Sequence, residues 1–266
     1  MTLILPFFNS QNKKVLTASA PADPIQVLVD EYQSAAAAKG YDYLGDDTAL
    51  YAKYEELVLA NKLTEHIYMA SPKYACKINS GNVTHGLSLI KINGDYPEFV
   101  SIGAVSYNSE YFRFKRTQMY CTFLQDYDRS SIRIKYKGSV DIESSINTRI
   151  WSFTKTSLRP VYYRKLSDTQ CRWAFYNNAG SLLPSTRSLN HTTDDNHISE
   201  QFYMRTGNAG LMSVYKDGTL IGTDDFPIEN WDTLINGEGI RIAGSFTAIA
   251  NININEFEIE LYRDNF

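Results

Sequence analysis

Cysteine is scarce, with three among 266 residues. Cys76, Cys121 and Cys171 are far apart, odd in number and without C-x-x-C spacing, which excludes a dithiol exchange motif and a zinc knuckle. They read as small buried hydrophobes in a chain made in the reducing cytoplasm. There is no basic excess either: 26 Lys and Arg against 30 Asp and Glu give a net charge of -4. That removes the general electrostatic ground for binding nucleic acid or an anionic membrane, and leaves only a local patch open. No run approaches the roughly 18 to 20 consecutive apolar residues of a membrane span. The apolar start, Thr2 to Phe8, is short, contains Pro6 and has no basic residue before it, so a signal peptide is not expected and a soluble product is. Nothing repeats at a fixed period, which argues against propellers and solenoids. No G-x-S-x-G elbow and no Gly-rich loop entering a helix occur, so neither a serine hydrolase nor a nucleotide site is indicated.

What is present is 43% hydrophobic and 13% aromatic residues, enough for one large or two small packed domains. Residues 1–22 lack periodicity beyond the apolar start and read as an extended N-terminal arm. In 23–70 a helical pair is expected. Asp23-Pro24 offers an N-cap with proline at the first helical position, and Ile25, Leu28, Val29, Tyr32, Ala35 and Ala36 recur at helical spacing until Gly40, predicting a helix over 24–39. Asp46 or Asp47 caps a second, with Leu50, Tyr51, Tyr54, Leu57 and Val58 on one stripe ending near Asn61, and Leu63 to Tyr68 adds a short turn. Two such stripes must pack on each other, on the rest of the chain or on another subunit.

From about residue 75 the period changes to two and the composition to Tyr, Phe, Ile, Thr, Ser and Asn. Strands are predicted at 86–92, 98–105, 117–124, 131–137, 149–156, 160–165, 171–177, 200–206, 211–216, 219–222, 239–244 and 252–262. Asn93-Gly94, Asn177 to Gly180 and Asp217-Gly218 supply turns. So many strands without intervening helices indicate a mainly β chain, a two-sheet antiparallel sandwich over 71–266 preceded by the arm and the two helices. In Ser131 to Lys137 every second residue is apolar, so one face packs on the core and the other meets water.

Val214 to Gly222 is two alternating runs joined by Lys216-Asp217-Gly218, a hairpin in which Asp-Gly supplies the positive φ of a tight turn. It is followed by Gly239 to Gly244, Phe246 and a final strand through Phe257, Ile259, Leu261 and Tyr262. That order resembles the end of the concanavalin A-like or laminin G-like jelly-roll superfamily, over about the last 65 residues. The front half is similar in layout to phage-encoded structural proteins in which two short helices precede a laminin G-like sandwich. The likeness is carried by Gly40-Tyr41, Ala49-Leu50-Tyr51, Leu57 and Leu63 to Tyr68, and by Ser199 to Thr206 before the hairpin. It departs at Thr64, where an aromatic is usual, and lacks a Tyr-Pro-Phe-Val-Gly run after that segment.

The resemblance implies a non-enzymatic virion component of a tailed phage: tail fibre, baseplate or head decoration, made in the bacterial cytoplasm. Its partners would be other virion proteins and copies of itself. Trimers are expected of such appendages, although no heptad or collagen-like segment enforces three-fold pairing. The apolar arm residues Leu3, Ile4, Leu5, Phe7 and Phe8, with the helices, would attach it. The second reading is a lectin-like module for a host surface glycan, its rim near Trp231 and the loop carrying His191, Asp194, Asp195 and His197.

Other site chemistry is thin. His191, Asp194 or Asp195, and His197 match no zinc signature and read as a polar loop. Asp217, Asp224 and Asp225 offer oxygens of the kind calcium takes, without a D-x-D-x-D-G pattern, and read as solvated loop acids. Jelly-roll glycoside hydrolases need two carboxylates flanking the scissile bond. Asp141 and Glu143 share a side but lack a third acid, and Glu256, Glu258 and Glu260 alternate with Phe257 and Ile259 as on a solvent-facing edge. Among the tryptophans, which could stack on sugar faces, Trp173 alternates with Cys171 and Phe175 as a core residue would, and Trp231 lies in a polar loop. No catalytic, metal or cofactor residue is assigned.

Overall fold

The computed structural model describes residues 22–122, 131–140, 149–154, 161–167, 170–175, 188–190, 197–202, 210–216, 219–226, 239–243 and 251–262, by backbone alone between 149 and 226. Helix α1 (Pro24–Ala38) begins as predicted, with the Asp23 carboxylate accepting from the Ile25 N–H at 2.9 Å. Helix α2 (Asp47–Leu59) is capped by Asp46, which accepts from the Ala49 N–H at 2.8 Å. The strands follow in order: β1 (His66–Ala70), β2 (Cys76–Asn79), β3 (Asn82–Leu87), β4 (Glu98–Tyr107), β5 (Phe112–Lys115) and β6 (Gln118–Thr122). Then come β7 (Ser131–Val140), β8 (Arg149–Thr154), β9 (Val161–Ser167), β10 (Gln170–Phe175) and β11 (Ser188–Asn190). Last are β12 (His197–Phe202), β13 (Gly210–Lys216), β14 (Thr219–Phe226), β15 (Gly239–Ile242) and β16 (Asn251–Tyr262).

All pairings are antiparallel, and hydrogen bonds run unbroken from β11 through β10, β9, β8, β15, β6, β4, β5, β16, β7, β12 and β13 to β14. The two layers are continuous because β4 belongs to both. Val100 to Ile102 pair with β6, whereas Ser106 and Tyr107 pair with β5. Between them Gly103 takes φ +93, and a Cβ there would meet Thr117 Cγ2 at 2.9 Å. A bend at such a residue is how one strand turns a sheet corner.

The helices lie on the chain's own sheet. Ile25, Val29, Tyr32, Ala36, Leu50, Tyr54 and Leu57 pack with Ile67 and Met69 of β1 and with Leu87, Leu89 and Ile90. Full burial of each Val, Leu, Ile or Met side chain among them contributes about 1.5 to 3 kcal/mol. Val58, placed on the stripe by its spacing, is instead 39% exposed. The other face of β16 carries Phe257 and Ile259, fully buried.

Several expectations shift. The strand predicted at 86–92 starts earlier and stops at Leu87, because the carbonyls of Leu87 and Leu89 accept from the Tyr32 and Tyr54 hydroxyls at 2.9 and 2.8 Å instead of from a ladder. Leu63 to Glu65 do turn, but His66 to Tyr68 enter β1, which pairs with β16. β2, β5 and β11 are short strands the alternation did not reveal. Asn93-Gly94 forms its turn at φ +55 and +84, closed by the Ile92 and Asp95 bridge.

Candidate functional site

One edge of β16 is shared by two strands: β5 pairs with Asn251 to Ile254, and β1 pairs with Phe257 to Leu261. Asn255 and Glu256 fall in the gap between them. On the opposite edge the register with β7 slips at the same place, between Ile254 and Glu256, so Asn255 is a bulge. Bulges re-aim side chains and open local space. Here the space is a cavity of about 250 Å3 lined by Ser71, Lys73, Glu110, Lys137, Asn255 and Glu256.

Its frame is cross-linked. The Ser71 hydroxyl donates to the Asn255 carbonyl at 2.7 Å, and the Lys73 N–H donates to the Ser71 hydroxyl at 3.3 Å. The Asn255 amide donates to the Glu110 carbonyl at 3.0 Å, and Asn108 Oδ1 holds the turn by accepting from the Glu110 and Tyr111 N–H groups. Lys73 and Lys137 are exposed. Every lining side chain is polar, which suits a ligand bearing several hydroxyls.

Beside the cleft and under α2 lies a network of charges. Lys53 reaches Glu258 at 2.9 Å, Glu256 at 3.1 Å and Glu56 at 3.0 Å. Lys135 of β7 reaches Glu258 at 3.1 Å and Glu260 at 3.4 Å, and Lys62 reaches Glu260 at 2.7 Å. The Lys53 and Glu258 contact is Coulombic more than a well-aligned hydrogen bond. Glu258 and Glu260 are 1% and 0% exposed. Burial opposes ionisation of Glu258, but the contact with Glu260 and the ammonium groups of Lys53 and Lys135 outweigh it, holding the carboxyl well below the usual carboxylate range. The solvent-facing edge expected of Glu256 to Glu260 is therefore overturned: β16 is a central strand, and its charged face is roofed by α2.

The sequence candidates meet the site little. Leu3, Ile4, Leu5, Phe7, Phe8, Trp231, His191, Asp194 and Asp195 lie outside the described residues, as do Asp141, Glu143 and Asp217. His197 opens β12 opposite Gly138 in the ladder, rather than closing a loop. Asp224 and Asp225 likewise sit in β14, opposite Met212 and Leu211. Trp151 and Trp173 belong to β8 and β10. Of the cleft residues only Glu256 carries a signal as an acid in the sequence, because the strand junction alone brings Ser71, Lys73, Glu110, Lys137 and Asn255 to it. Asn255, the residue that breaks the apolar alternation of β16 before Glu256, was the one further signal available. No described group of His, Cys, Asp and Glu could hold a metal ion. No described helix is long and apolar enough to cross a membrane.

No family model matches the chain, and no curated protein matches it in sequence. Solved structures do match its fold. A botulinum neurotoxin type C chain, described as interacting with two ganglioside molecules, aligns over 78% of this chain at 14% identity and a TM-score of 0.55. The binding domain of botulinum neurotoxin serotype D aligns over 76% at 10% identity and 0.54, and that of serotype D/C over 75% at 15% and 0.50. The chain spans about half the length of these neighbours, 50%, 49% and 49%. The fold is accordingly a mainly β, antiparallel, jelly-roll-like domain with two helices. These neighbours are toxin binding domains, and they lend the phage and laminin G-like resemblance no support beyond the shared architecture.

Proposed function

We propose that this chain is a non-catalytic carbohydrate-binding module. The observation that carries the reading is the cleft at the β1, β5 and β16 junction, where polar side chains from the loop after β1, the turn before β5, β7 and β16 surround a volume of about 250 Å3 on a cross-linked frame. A polyhydroxylated ring is the ligand class such a lining matches. The ganglioside-interacting neighbour of the same architecture supports the direction of this reading. Against hydrolysis stands the state of the nearby acids. A glycosidase needs one carboxyl kept protonated, whereas Glu258, the buried acid beside the cleft, is held ionised.

The test is a panel of immobilised neutral and acidic glycans probed with the full chain, followed by Lys73→Ala and Glu110→Ala. Binding that weakens in both variants, with no release of reducing sugar, is the expected result. A chain that binds no glycan, or that cleaves one, would end this reading.

For the carrier of the module we propose, from the sequence resemblance, a tailed-phage particle. The apolar stripes of α1 and α2 are used inside the chain's own core, so attachment falls to the arm around Leu3 to Phe8. Mass spectrometry of density-purified particles tests this, since a virion component bands with them at fixed stoichiometry.

A further inference from the structure

The layer containing β2, β3, β4, β6 and β15 presents its second face outward, and the register aligns one residue from each strand. Lys77 pairs with His85, His85 with Val100, Val100 with Tyr120, and Tyr120 with Arg241. Directly opposed antiparallel residues share a face, and adjacent strands lie about 4.8 Å apart, so the row spans roughly 19 Å. Its core-facing neighbours Cys76, Gly86, Phe99, Met119, Cys121, Ile240 and Ile242 are all buried, whereas Val100 is 40% exposed and Lys77, His85, Tyr120 and Arg241 are partly exposed.

The row is basic and aromatic in a chain whose net charge is -4. Arg241 of β15 ends it. The guanidinium lies 5.8 Å from the Tyr120 ring centroid, Nε is buried without a hydrogen-bond partner, and no carboxylate pairs with it among the described residues. An arginine guanidinium beside an aromatic ring is suited to an oxyanion carried on a ring with an apolar face. Lys77 sits near the far end, over the Tyr41 ring at 4.8 Å. Between them, burial first and then Lys77 hold the His85 imidazole below its ordinary value, with Glu98 opposing, so at neutral pH His85 offers hydrogen bonds more than charge. Glu98, two residues before Val100, is the acid nearest the row on β4, and Lys39 answers it at 3.7 Å.

We propose that this row is a binding strip for an acidic oligosaccharide, with Arg241 taking a sugar carboxylate or sulfate, Tyr120 receiving the pyranose face and Lys77 a second anionic group along the chain. The inference rests on the glycan-binding reading and adds to it the charge of the ligand and a place apart from the cleft.

The experiment titrates the full chain with sialyllactose, a sulfated disaccharide, neutral lactose and a short single-stranded DNA, at low and high salt. The variants are Arg241→Gln and Tyr120→Ala. At low salt one or both acidic sugars should bind about tenfold tighter than lactose, a preference worth about 1.4 kcal/mol, and lose it in either variant and in high salt. Which acidic sugar binds distinguishes carboxylate from sulfate. If Arg241→Gln does not fold, Arg241→Lys keeps the charge without the fork and should lose part of the preference. Equal binding of acidic and neutral sugars, or an acidic preference that survives both variants, overturns the strip and leaves the glycan-binding reading standing. Tighter binding of the DNA than of any sugar overturns the ligand class. Failure to bind any sugar removes the glycan-binding reading and the strip together.

Discussion

Lys53 of α2 lies 2.9 Å from Glu258 of β16, a contact that joins the helical hairpin to the final strand across some 200 residues of chain. The helix thereby covers the polar face of the strand whose other face is core. Removing one member of a buried pair costs more than the pair contributes, because the survivor stays buried and uncompensated. Lys53→Met should therefore destabilise the fold by about 3 kcal/mol in urea denaturation, with Lys135 covering part of the loss. The double variant Lys53→Met with Glu258→Met should recover much of it, and no recovery would mean that the pair is not coupled.

The same carboxylate sets an acid limit. Because the folded state holds Glu258 below its ordinary value of 4.5, the stability it contributes is fully present above about that pH and is lost as the pH falls towards the folded value. Between pH 7 and pH 3 the melting temperature should drop in the wild type, and more shallowly in Glu258→Gln. Parallel curves for the two proteins would rule Glu258 out as the source.

Where local rules govern, the sequence was legible. Asp23-Pro24 starts α1, Asn93-Gly94 turns, and Val214 to Lys216 of β13 pair with Thr219 to Gly222 of β14, all determined within a few residues. Alternation found β7 and β16 but could not say what lies over the second face. Glu256 to Glu260 looks solvated until Lys53 and Lys62 arrive from the far end of the chain. The cleft and the outward row were illegible for a related reason. Each is a product of register between distant strands, and a one-residue slip of β6 would turn Tyr120 inward and Met119 out.

Tyr32 illustrates how an irregular segment is held. Its hydroxyl donates to the Leu87 carbonyl and accepts from the Ala75 N–H, each at 2.9 Å, with the side chain fully buried. Tyr32→Phe would strand both backbone groups, at about 1 to 3 kcal/mol for each group left unsatisfied. A loss of about 3 kcal/mol is expected by chemical denaturation, and hydrogen exchange at the Ala75 amide should accelerate. Unchanged exchange would show that this amide finds another partner.

Gly239 and Gly40 both take positive φ, at +152 and +74, but they differ in surroundings. A Cβ on Gly40 meets nothing within 4 Å, so Gly40→Ala should cost only the conformational penalty, about 1 kcal/mol. At Gly239 it would stand 2.0 Å from the Cys121 carbonyl oxygen, part of the β6 and β15 ladder that cannot retreat without losing its register. Gly239→Ala should cost at least about 3 kcal/mol, combining backbone strain with overpacking. Similar melting temperatures for the two variants would show that β15 can shift to accommodate the methyl group.

Cys76 and Cys121 should be silent to thiol reagents while the chain is folded. Both are buried and free. Burial pushes the Cys76 thiol up to about 12 and raises that of Cys121, where Glu98 adds to the effect. Since the thiolate is the reactive form, raising the pH from 7 to 9 creates almost none at either site. Alkylation mapped by peptide mass spectrometry should label neither cysteine in native buffer and both in denaturant, at a rate set by unfolding. Labelling of Cys121 under native conditions at pH 9 would mean that the β6 and β15 pairing opens locally, and the row carrying Tyr120 and Arg241 would then be a surface that forms only part of the time.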